Sequence, residues 1–482
     1  MSLFKELSGA TINYGLGKFV PQLIGFLLIP IYTQYLTPED YGLVELTSSF
    51  SLFAIIIMRM ALPGSVQRFY YEHNEGQELR DYVTTMYWAL MVISVFNALV
   101  IFIVSYFFIN YLVPGLPLFP FVLVSLITGV LATNSEIQKR LIQARKQSRY
   151  SAVLSLITAL VGITIAIILV VGFEMGAEGI VYASLGGGIL FFIQSQFYLR
   201  KDMGGKVSLS LLKPSFKYSM KIWPSHFVTP FGNLFARSLL AAESLSLVGL
   251  FSLASRFITP LTMLTDAFNH AYLPIYFETR KSDTAEGYKR LKEACKKTWI
   301  LSLIIYIGAA TAVPPLIYLL TPGTYHFAAH LIPLMSFNFL LGILTVLYAP
   351  EMYYSKKTWY VTVMAVVRFV SNVSISFFLI NYWNVYAIIF AVFMENVICL
   401  GFSVYVSRKM FNFDPDLPVI FKSFFTAIPL VVVHVLLAQQ NLNYFVQLAL
   451  SAVAVGLFIV LLIGTGILNV KTLKSYLKIK KL

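Results

Sequence analysis

The sequence predicts an all-α membrane protein that crosses the bilayer about fourteen times. Of its 482 residues, 58% are hydrophobic and only 12% are charged, whereas a typical soluble chain carries about 25% charged residues. Apolar runs of about 20 residues, the length that spans a bilayer, recur from end to end. This composition excludes both a soluble enzyme and an intrinsically disordered chain.

The apolar runs define the predicted spans, which we number 1 to 14 in chain order. Their approximate ranges are 11–35, 43–65, 83–109, 118–136, 151–172, 179–199, 222–242, 246–271, 299–320, 330–350, 359–380, 385–406, 419–438 and 445–468. An even number of spans puts both termini on the same side of the membrane.

The positions of Lys and Arg predict which side that is. The loops that follow even-numbered spans are basic, as in KRLIQARKQSR at 139–149, whereas the loops at 37–40, 173–179 and 381–384 contain no Lys or Arg. Because cytoplasmic loops carry the basic excess, we expect both termini in the cytoplasm. The formal charge of +14 then reflects topology and contact with anionic membrane lipids, and no nucleic-acid partner is predicted.

The order of spans and connectors suggests an internal duplication, as is usual in secondary transporters. YLTPEDYGLVEL at 35–46 and AAESLSLVGLFSL at 241–253 occupy corresponding outer turns. We therefore expect an N-terminal lobe at 1–221, with spans 1–6 and a basic cytoplasmic connector. A C-terminal lobe at 222–482 would hold spans 7–14 and a basic tail.

Ionisable residues inside the spans are the candidate functional residues, because a charge at membrane depth is costly unless it lines a cavity or meets a partner. Five are basic: Lys18, Arg59, Arg237, Arg256 and Arg368. Helical phase places most of them on polar stripes, which are typical of a water-lined chamber. Snorkelling and structural ion pairs are the alternative interpretations.

A second group has the carboxylates and amides of a candidate ion-coupling site. It comprises Asp266, Asn372, Glu395 and Asn396. The sequence does not choose between sodium, protons and the membrane potential as the coupling force. His326 and His330 lack the intervening glutamate of a zinc motif. We predict no metal site, no resident cofactor and no catalytic constellation, and hence a protein that is not an enzyme.

Three segments resemble the Wzx-type polysaccharide (O-antigen) flippases. They are NYGLGKFVPQLIGFLLIPIYTQYLTPEDYGLVEL at 13–46, SLLKPSFKYSMKIWPSH at 210–226 and VGLFSLASRF at 248–257. The resemblance implies membership of the polysaccharide transporter family within the multidrug/oligosaccharidyl-lipid/polysaccharide exporter superfamily. It implies two lobes around a central cavity that opens alternately to each side of the bacterial inner membrane.

The resemblance also implies a function. Such a protein would flip an undecaprenyl-pyrophosphate-linked oligosaccharide to the outer leaflet. The polysaccharide polymerase machinery would be a candidate partner. Basic residues on spans 1, 2 and 8 matter for substrate binding in the related lipid II flippases, and Lys18, Arg59 and Arg256 lie on those spans.

Two other functions are compatible with a polytopic chain. A multidrug exporter of the same fold would call for acidic rather than basic residues in its lumen, since most such substrates are organic cations. A membrane glycan polymerase or ligase would need a sizeable outward loop, and the predicted outward loops are about ten residues or shorter.

Overall fold

The computed structural model describes residues 17, 20–73, 76–357, 359–411, 413–438, 440 and 442–468, and these residues form helices and turns without a strand. Lys18 lies outside them. Contacts between residues divide the chain into two compact units, Met1–Gly249 and Leu250–Leu482.

The described helices of the first unit include two long ones, α4 and α8, together with shorter ones. Residues 20–27 are helical, followed by α1 (Ile29–Tyr35), α2 (Pro38–Arg59), α3 (Leu62–Phe69), α4 (Gln77–Leu112), α5 (Leu123–Ala144), α6 (Ser148–Ile167), α7 (Gly176–Leu199) and α8 (Leu209–Glu243). A 3₁₀ turn at Tyr70–Glu72 and π-helical turns at Leu118–Val122 and Ile168–Gly172 connect or extend them.

Helix α9 (Leu245–Ser282) begins in the first unit and continues into the second. The second unit goes on through α10 (Ala285–Leu320), a 3₁₀ turn at Gly323–Tyr325, α11 (Phe327–Tyr348), α12 (Pro350–Tyr354), α13 (Trp359–Trp383), α14 (Val385–Met410), α15 (Leu417–Ala438) and α16 (Tyr444–Gly464).

The predicted membrane spans are confirmed as an approximate count. Twelve helical segments in the described part of the chain are long and apolar enough to cross a membrane, and they correspond to spans 2–6 and 8–14. Span 1 begins at residues outside the described ranges. Span 7 lies within α8, a helix of 35 residues that holds three prolines and many polar side chains. These polar side chains lower the mean hydropathy of the helix, which explains why length and hydropathy alone do not mark it as a span.

The TPED segment starts α2 for a local reason. Thr37 is its N-cap and forms a capping box with Asp40, while Pro38 occupies the first turn. These residues satisfy amide donors that a helix start leaves unpaired. The helix then ends after Arg59, because Met60 and Ala61 adopt the left-handed conformation, with φ of 45° and 56°.

Helices α2 and α9 approach so closely at their starts that only glycine fits. A Cβ atom on Gly42 would lie 1.9 Å from the carbonyl oxygen of Leu245, and one on Gly249 would lie 2.0 Å from that of Pro38. Both obstacles are backbone atoms, which cannot rotate away as a side chain would. The two segments that suggested a duplication, 35–46 and 241–253, therefore pack against each other here.

Helix α8 packs against α2 within the first unit. The Phe53 and Phe227 rings lie 5.1 Å apart, and the indole Nε1 of Trp223 donates to the carbonyl oxygen of Ile56 at 3.0 Å. The division of contacts after Gly249 thus falls later than the expected lobe boundary after residue 221, because α8 belongs with the helices before it.

Candidate functional site

Among the described residues of the first unit, the carboxylate with the most ion pairs is that of Glu136. Three cations contact it: Arg59 at 3.7 Å, Lys139 at 3.6 Å and Arg140 at 3.0 Å. Helix α5 supplies three of these residues, because positions i, i+3 and i+4 share one helix face. Arg59 comes from the last turn of α2, where a cation is also favoured by the helix dipole. We call these four residues the basic cluster.

The basic cluster has more positive charge than its carboxylate neutralises. Three cations share a single Glu136, whose side chain is 11% exposed. The Nε atoms of Arg59 and Arg140 are buried and have no hydrogen-bond partner among the described residues. Buried donors without partners are rare and costly. The cluster is therefore suited to bind an additional anion with several oxygen atoms, such as a phosphate.

A second basic residue of the first unit, Arg237, is also close to an acid. Its Nη2 lies 3.8 Å from Oε2 of Glu45, and the two side chains are 17% and 11% exposed. Arg237 lies on α8 and Glu45 on α2, which are neighbours along their length. The pair is too long for a strong hydrogen bond, so it is a charge contact between adjacent helices.

In the second unit, one cluster unites residues that the sequence assigned to different roles. Arg368 Nε lies 3.0 Å from Oε1 of Glu395, and Asn372 Nδ2 donates to Oε2 of the same carboxylate at 2.8 Å. The neighbouring Asn396 instead donates to the carbonyl oxygen of Val392 on its own helix at 2.9 Å. Three of the predicted site residues thus meet, and Asn396 does not join them.

The remaining predicted residues lie on α9. Arg256 is half-buried, one turn after the buried Ser252, and Asp266 is exposed. Ten residues of helix separate Arg256 from Asp266, about 15 Å along the axis. They do not form one site. Among the described residues, no group of three or more His, Cys, Asp or Glu side chains is placed to hold a metal ion.

Sequence reasoning missed the basic cluster as a unit. The positive-inside rule places Lys139 and Arg140 in a cytoplasmic loop, and the apolar run of span 4 ends at Glu136. The spacing of Glu136, Lys139 and Arg140 is a visible signal for one helix face. That Arg59 joins them follows only from the packing of α2 against α5.

The fold defines the class of protein, a multi-pass membrane protein built like the transporters of the MOP superfamily. The solved structure of the lipid II flippase MurJ, in an inward closed conformation, matches with a TM-score of 0.74 at 13% identity, over 95% of this chain and 100% of that chain. An inward-facing multidrug resistance MATE family transporter of the MOP superfamily matches with a TM-score of 0.63 at 12% identity, over 83% of this chain and 97% of the other. At such identities the likeness establishes the fold alone.

The sequence establishes the family. The profile of the family described as "Polysaccharide biosynthesis protein" matches residues 9–280, more than half of the chain. The chain belongs to the polysaccharide biosynthesis protein family. The resemblance to polysaccharide flippases drawn from the three sequence segments is thereby confirmed at the level of the family. No curated protein matches the chain at a significant level.

Proposed function

We propose that this protein flips a lipid-linked oligosaccharide, carried on undecaprenyl pyrophosphate, from the inner to the outer leaflet for surface polysaccharide assembly. The observation that supports it most is the basic cluster, where three cations share one carboxylate. Pyrophosphate is an oxygen-rich anion that guanidinium groups bind through paired hydrogen bonds. Membership of a polysaccharide biosynthesis family agrees with a glycan substrate.

In this proposal the basic residues act at successive points of the substrate path. Arg59, with Lys139 and Arg140, receives the pyrophosphate, and Lys18, Arg237, Arg256 and Arg368 are the further cations that it meets. Glu45 and Glu395 contact two of these cations, so the anion would compete with a carboxylate at each. No step requires covalent chemistry, and the protein acts as a transporter.

The membrane potential is the first coupling force to test. An inside-negative potential favours outward movement of an anion by about 2.3 kcal/mol per charge per 100 mV. Collapse of the potential in loaded vesicles should slow net flipping.

The candidate ion-coupling residues Asp266, Asn372, Glu395 and Asn396 provide the second test. Replacing sodium or removing a proton gradient should slow flipping only if a cation also couples.

The location is proposed to be the bacterial cytoplasmic membrane, with both termini in the cytoplasm. Reporter fusions after Leu36, Tyr111 and Asn381 should lie outside, and those after Lys139, Lys206 and Lys289 inside. The basis is the absence of Lys and Arg from the odd-numbered loops, since the positive-inside rule fixes orientation. A cytoplasmic reporter signal after Asn381 would contradict this topology.

A flipping assay tests the proposed function. Purified protein is reconstituted into vesicles that contain the lipid-linked oligosaccharide extracted from cells that produce the protein. Movement of the glycan across the bilayer should be accelerated by the wild type and by Arg68→Ala, whose arginine is 54% exposed, but far less by Arg59→Ala. Ethidium uptake, measured in the same vesicles, tests the multidrug alternative. Acceleration of ethidium movement without glycan movement would overturn the proposal.

A further inference from the structure

Helix α8 carries an uncharged polar surface along one of its faces. Ser225, His226, Thr229 and Asn233 are exposed and recur at intervals of three or four residues, which puts them on one side of the helix. Between Lys221 and Arg237 the helix contains no Asp, Glu, Lys or Arg. We call these four residues the polar stripe.

The polar stripe has hydrogen-bonding groups that the protein leaves unused. The Ser225 hydroxyl donates to the carbonyl oxygen of Ile222 at 2.6 Å. In contrast, the side chains of Thr229 and Asn233 make no hydrogen bond to any described residue. Exposure of such groups to hydrocarbon would cost several kcal/mol each. The stripe therefore faces water or a polar ligand.

A proline adds a backbone acceptor to the same face. Pro230 lies inside α8 and has no amide hydrogen, so the carbonyl oxygen of His226 lacks its usual donor four residues later. His226 belongs to the polar stripe, so this free acceptor comes from a residue of the same stripe. The face thus offers a hydroxyl, a carboxamide and a carbonyl oxygen.

A ladder of aromatic rings occupies the face of α8 opposite the polar stripe, as the helical phase of the two sets shows. Trp223, Phe227, Phe231 and Phe235 follow one another at i, i+4 spacing, with centroid distances of 6.3, 5.5 and 6.2 Å. All four are half-buried. These rings face α2, where Phe227 contacts Phe53, so the apolar face of α8 packs within the protein and the polar stripe is left for a ligand. The neutral hydrogen-bonding groups of the stripe complement a sugar, which has a rim of hydroxyl groups.

Basic residues lie near both ends of the polar stripe. Trp223 donates to Ile56, one turn before Arg59, and Arg237 follows Asn233 by one turn. An uncharged stretch of about 12 Å, from Ser225 to Asn233, thus lies between two basic positions. A molecule with an anionic group joined to a neutral polyhydroxyl body matches this order of charges.

We propose that the polar stripe of α8 binds the glycan of the transported molecule and determines which glycans are accepted. This inference rests on the proposed function, since the basic cluster would hold the pyrophosphate of the same molecule. Thr229 and Asn233 would bond to sugar hydroxyls. Specificity follows because a sugar with a missing or inverted hydroxyl would leave these groups unpaired.

The test compares two probes on purified full-length protein. One is the lipid-linked oligosaccharide extracted from producing cells, and the other is undecaprenyl pyrophosphate without sugar. Thr229→Val and Asn233→Ala should each weaken binding of the glycosylated lipid by about threefold to tenfold, the range for one hydrogen bond. Affinity for undecaprenyl pyrophosphate should stay within about twofold of wild type.

Ser238→Ala is the matched control. It removes a hydroxyl from the same helix, but one that is buried and bonded to the carbonyl oxygen of Leu234 at 2.8 Å, so neither affinity should change beyond the effect on stability. Thermal unfolding of each variant checks that α8 is intact, and only variants that unfold as the wild type does are compared.

Each outcome decides one proposal. If the stripe variants weaken both probes equally, or weaken neither, the stripe does not bind the glycan, while the flippase proposal is unaffected as long as Arg59→Ala weakens both. If the wild type binds neither probe, the proposed function fails and this inference fails with it.

Discussion

The two units of the protein differ in how many cations surround a buried carboxylate. In the second unit, Glu351 is fully buried and accepts two hydrogen bonds from the guanidinium of Arg280, at 2.9 and 3.1 Å. Tyr276 and Ser355 each donate another at 2.6 Å. The guanidinium also packs on the ring of Phe411, 3.8 Å from its centroid. The Glu351 carboxylate thus has one counterion and accepts four hydrogen bonds, so its charge and its acceptor atoms are matched.

In the first unit, Glu136 is outnumbered by its cations. Arg59, Lys139 and Arg140 share it at 3.7, 3.6 and 3.0 Å, so two of its three contacts are longer than those of Glu351 and the positive charge is in excess. The comparison teaches how to separate structural from functional charge inside a membrane protein. A matched, saturated pair holds helices together, whereas an unmatched cluster with unused donors is prepared for a ligand.

Breaking the matched pair should have the largest effect on stability. Arg280→Ala leaves Glu351 buried without a counterion, which costs about 3–5 kcal/mol. We expect a large drop in the thermal unfolding temperature of the detergent-purified protein and low abundance in the membrane. Glu351→Gln should be milder, because its amide keeps partners in Tyr276 and Ser355. An unfolding temperature near that of wild type in Arg280→Ala would refute the structural assignment.

Removing one cation from the unmatched cluster should impair binding rather than folding. Arg59→Ala leaves Lys139 and Arg140 to neutralise Glu136, so the protein should keep near-normal abundance. Binding of undecaprenyl pyrophosphate should weaken by about tenfold to a hundredfold, the range for charged hydrogen bonds. Arg59→Lys, which keeps the charge without the planar fork, should retain part of the affinity. Equal affinities in the Ala variant and the wild type would remove Arg59 from the substrate path.

Removing the carboxylate of Glu136 should increase the difference between the two sites. Glu136→Gln leaves the three cations without an acid, so the free protein should be less stable because like charges repel each other. Inorganic pyrophosphate should then raise the unfolding temperature more in this variant than in the wild type, by mass action on a tighter site. Glu351→Gln serves as the reference, because it leaves one cation, Arg280, without an acid, whereas Glu136→Gln leaves three. The same response to pyrophosphate in both variants would show that the two clusters do not differ.

The smallest effect is expected for an exposed pair. Arg68 and Glu72 contact each other one turn apart, with side chains 54% and 46% exposed. Arg68→Ala should cost about 0.3–0.5 kcal/mol and leave the unfolding temperature nearly unchanged. A loss comparable to that of Arg280→Ala would mean that exposure is a poor guide to the energy of ion pairs in this protein.

Local sequence signals predict the helices, but the apolar runs alone do not give all of their ends. The start of span 2 is expected at residue 43, whereas the capping box of the TPED segment starts α2 at Pro38, and this signal depends only on residues three positions apart. The prediction of polar stripes from helical phase also needs only one helix. Along α8, for example, helical phase alone places His226, Asn233 and Arg237 on one face.

Pairing between helices could not be predicted in the same way. Arg59 and Glu136 are far apart in sequence, and phase along one helix does not tell which helix lies opposite. For the same reason Arg368 was assigned to the substrate path and Glu395 to ion coupling, although their side chains lie 3.0 Å apart. Charges in single helices were predictable, whereas their partners depend on packing.

The crossing of α2 and α9 supplies a criterion for sequences whose structures are unknown. A single methyl group at position 42 or 249 would overlap a backbone oxygen, at 1.9 or 2.0 Å, and backbone atoms can yield only if the helices separate. A chain that aligns over both segments but has a side chain at either position must therefore build this corner differently. The presence of glycine at both positions 42 and 249 in an alignment thus indicates that a related chain can form the same close crossing of these two helices.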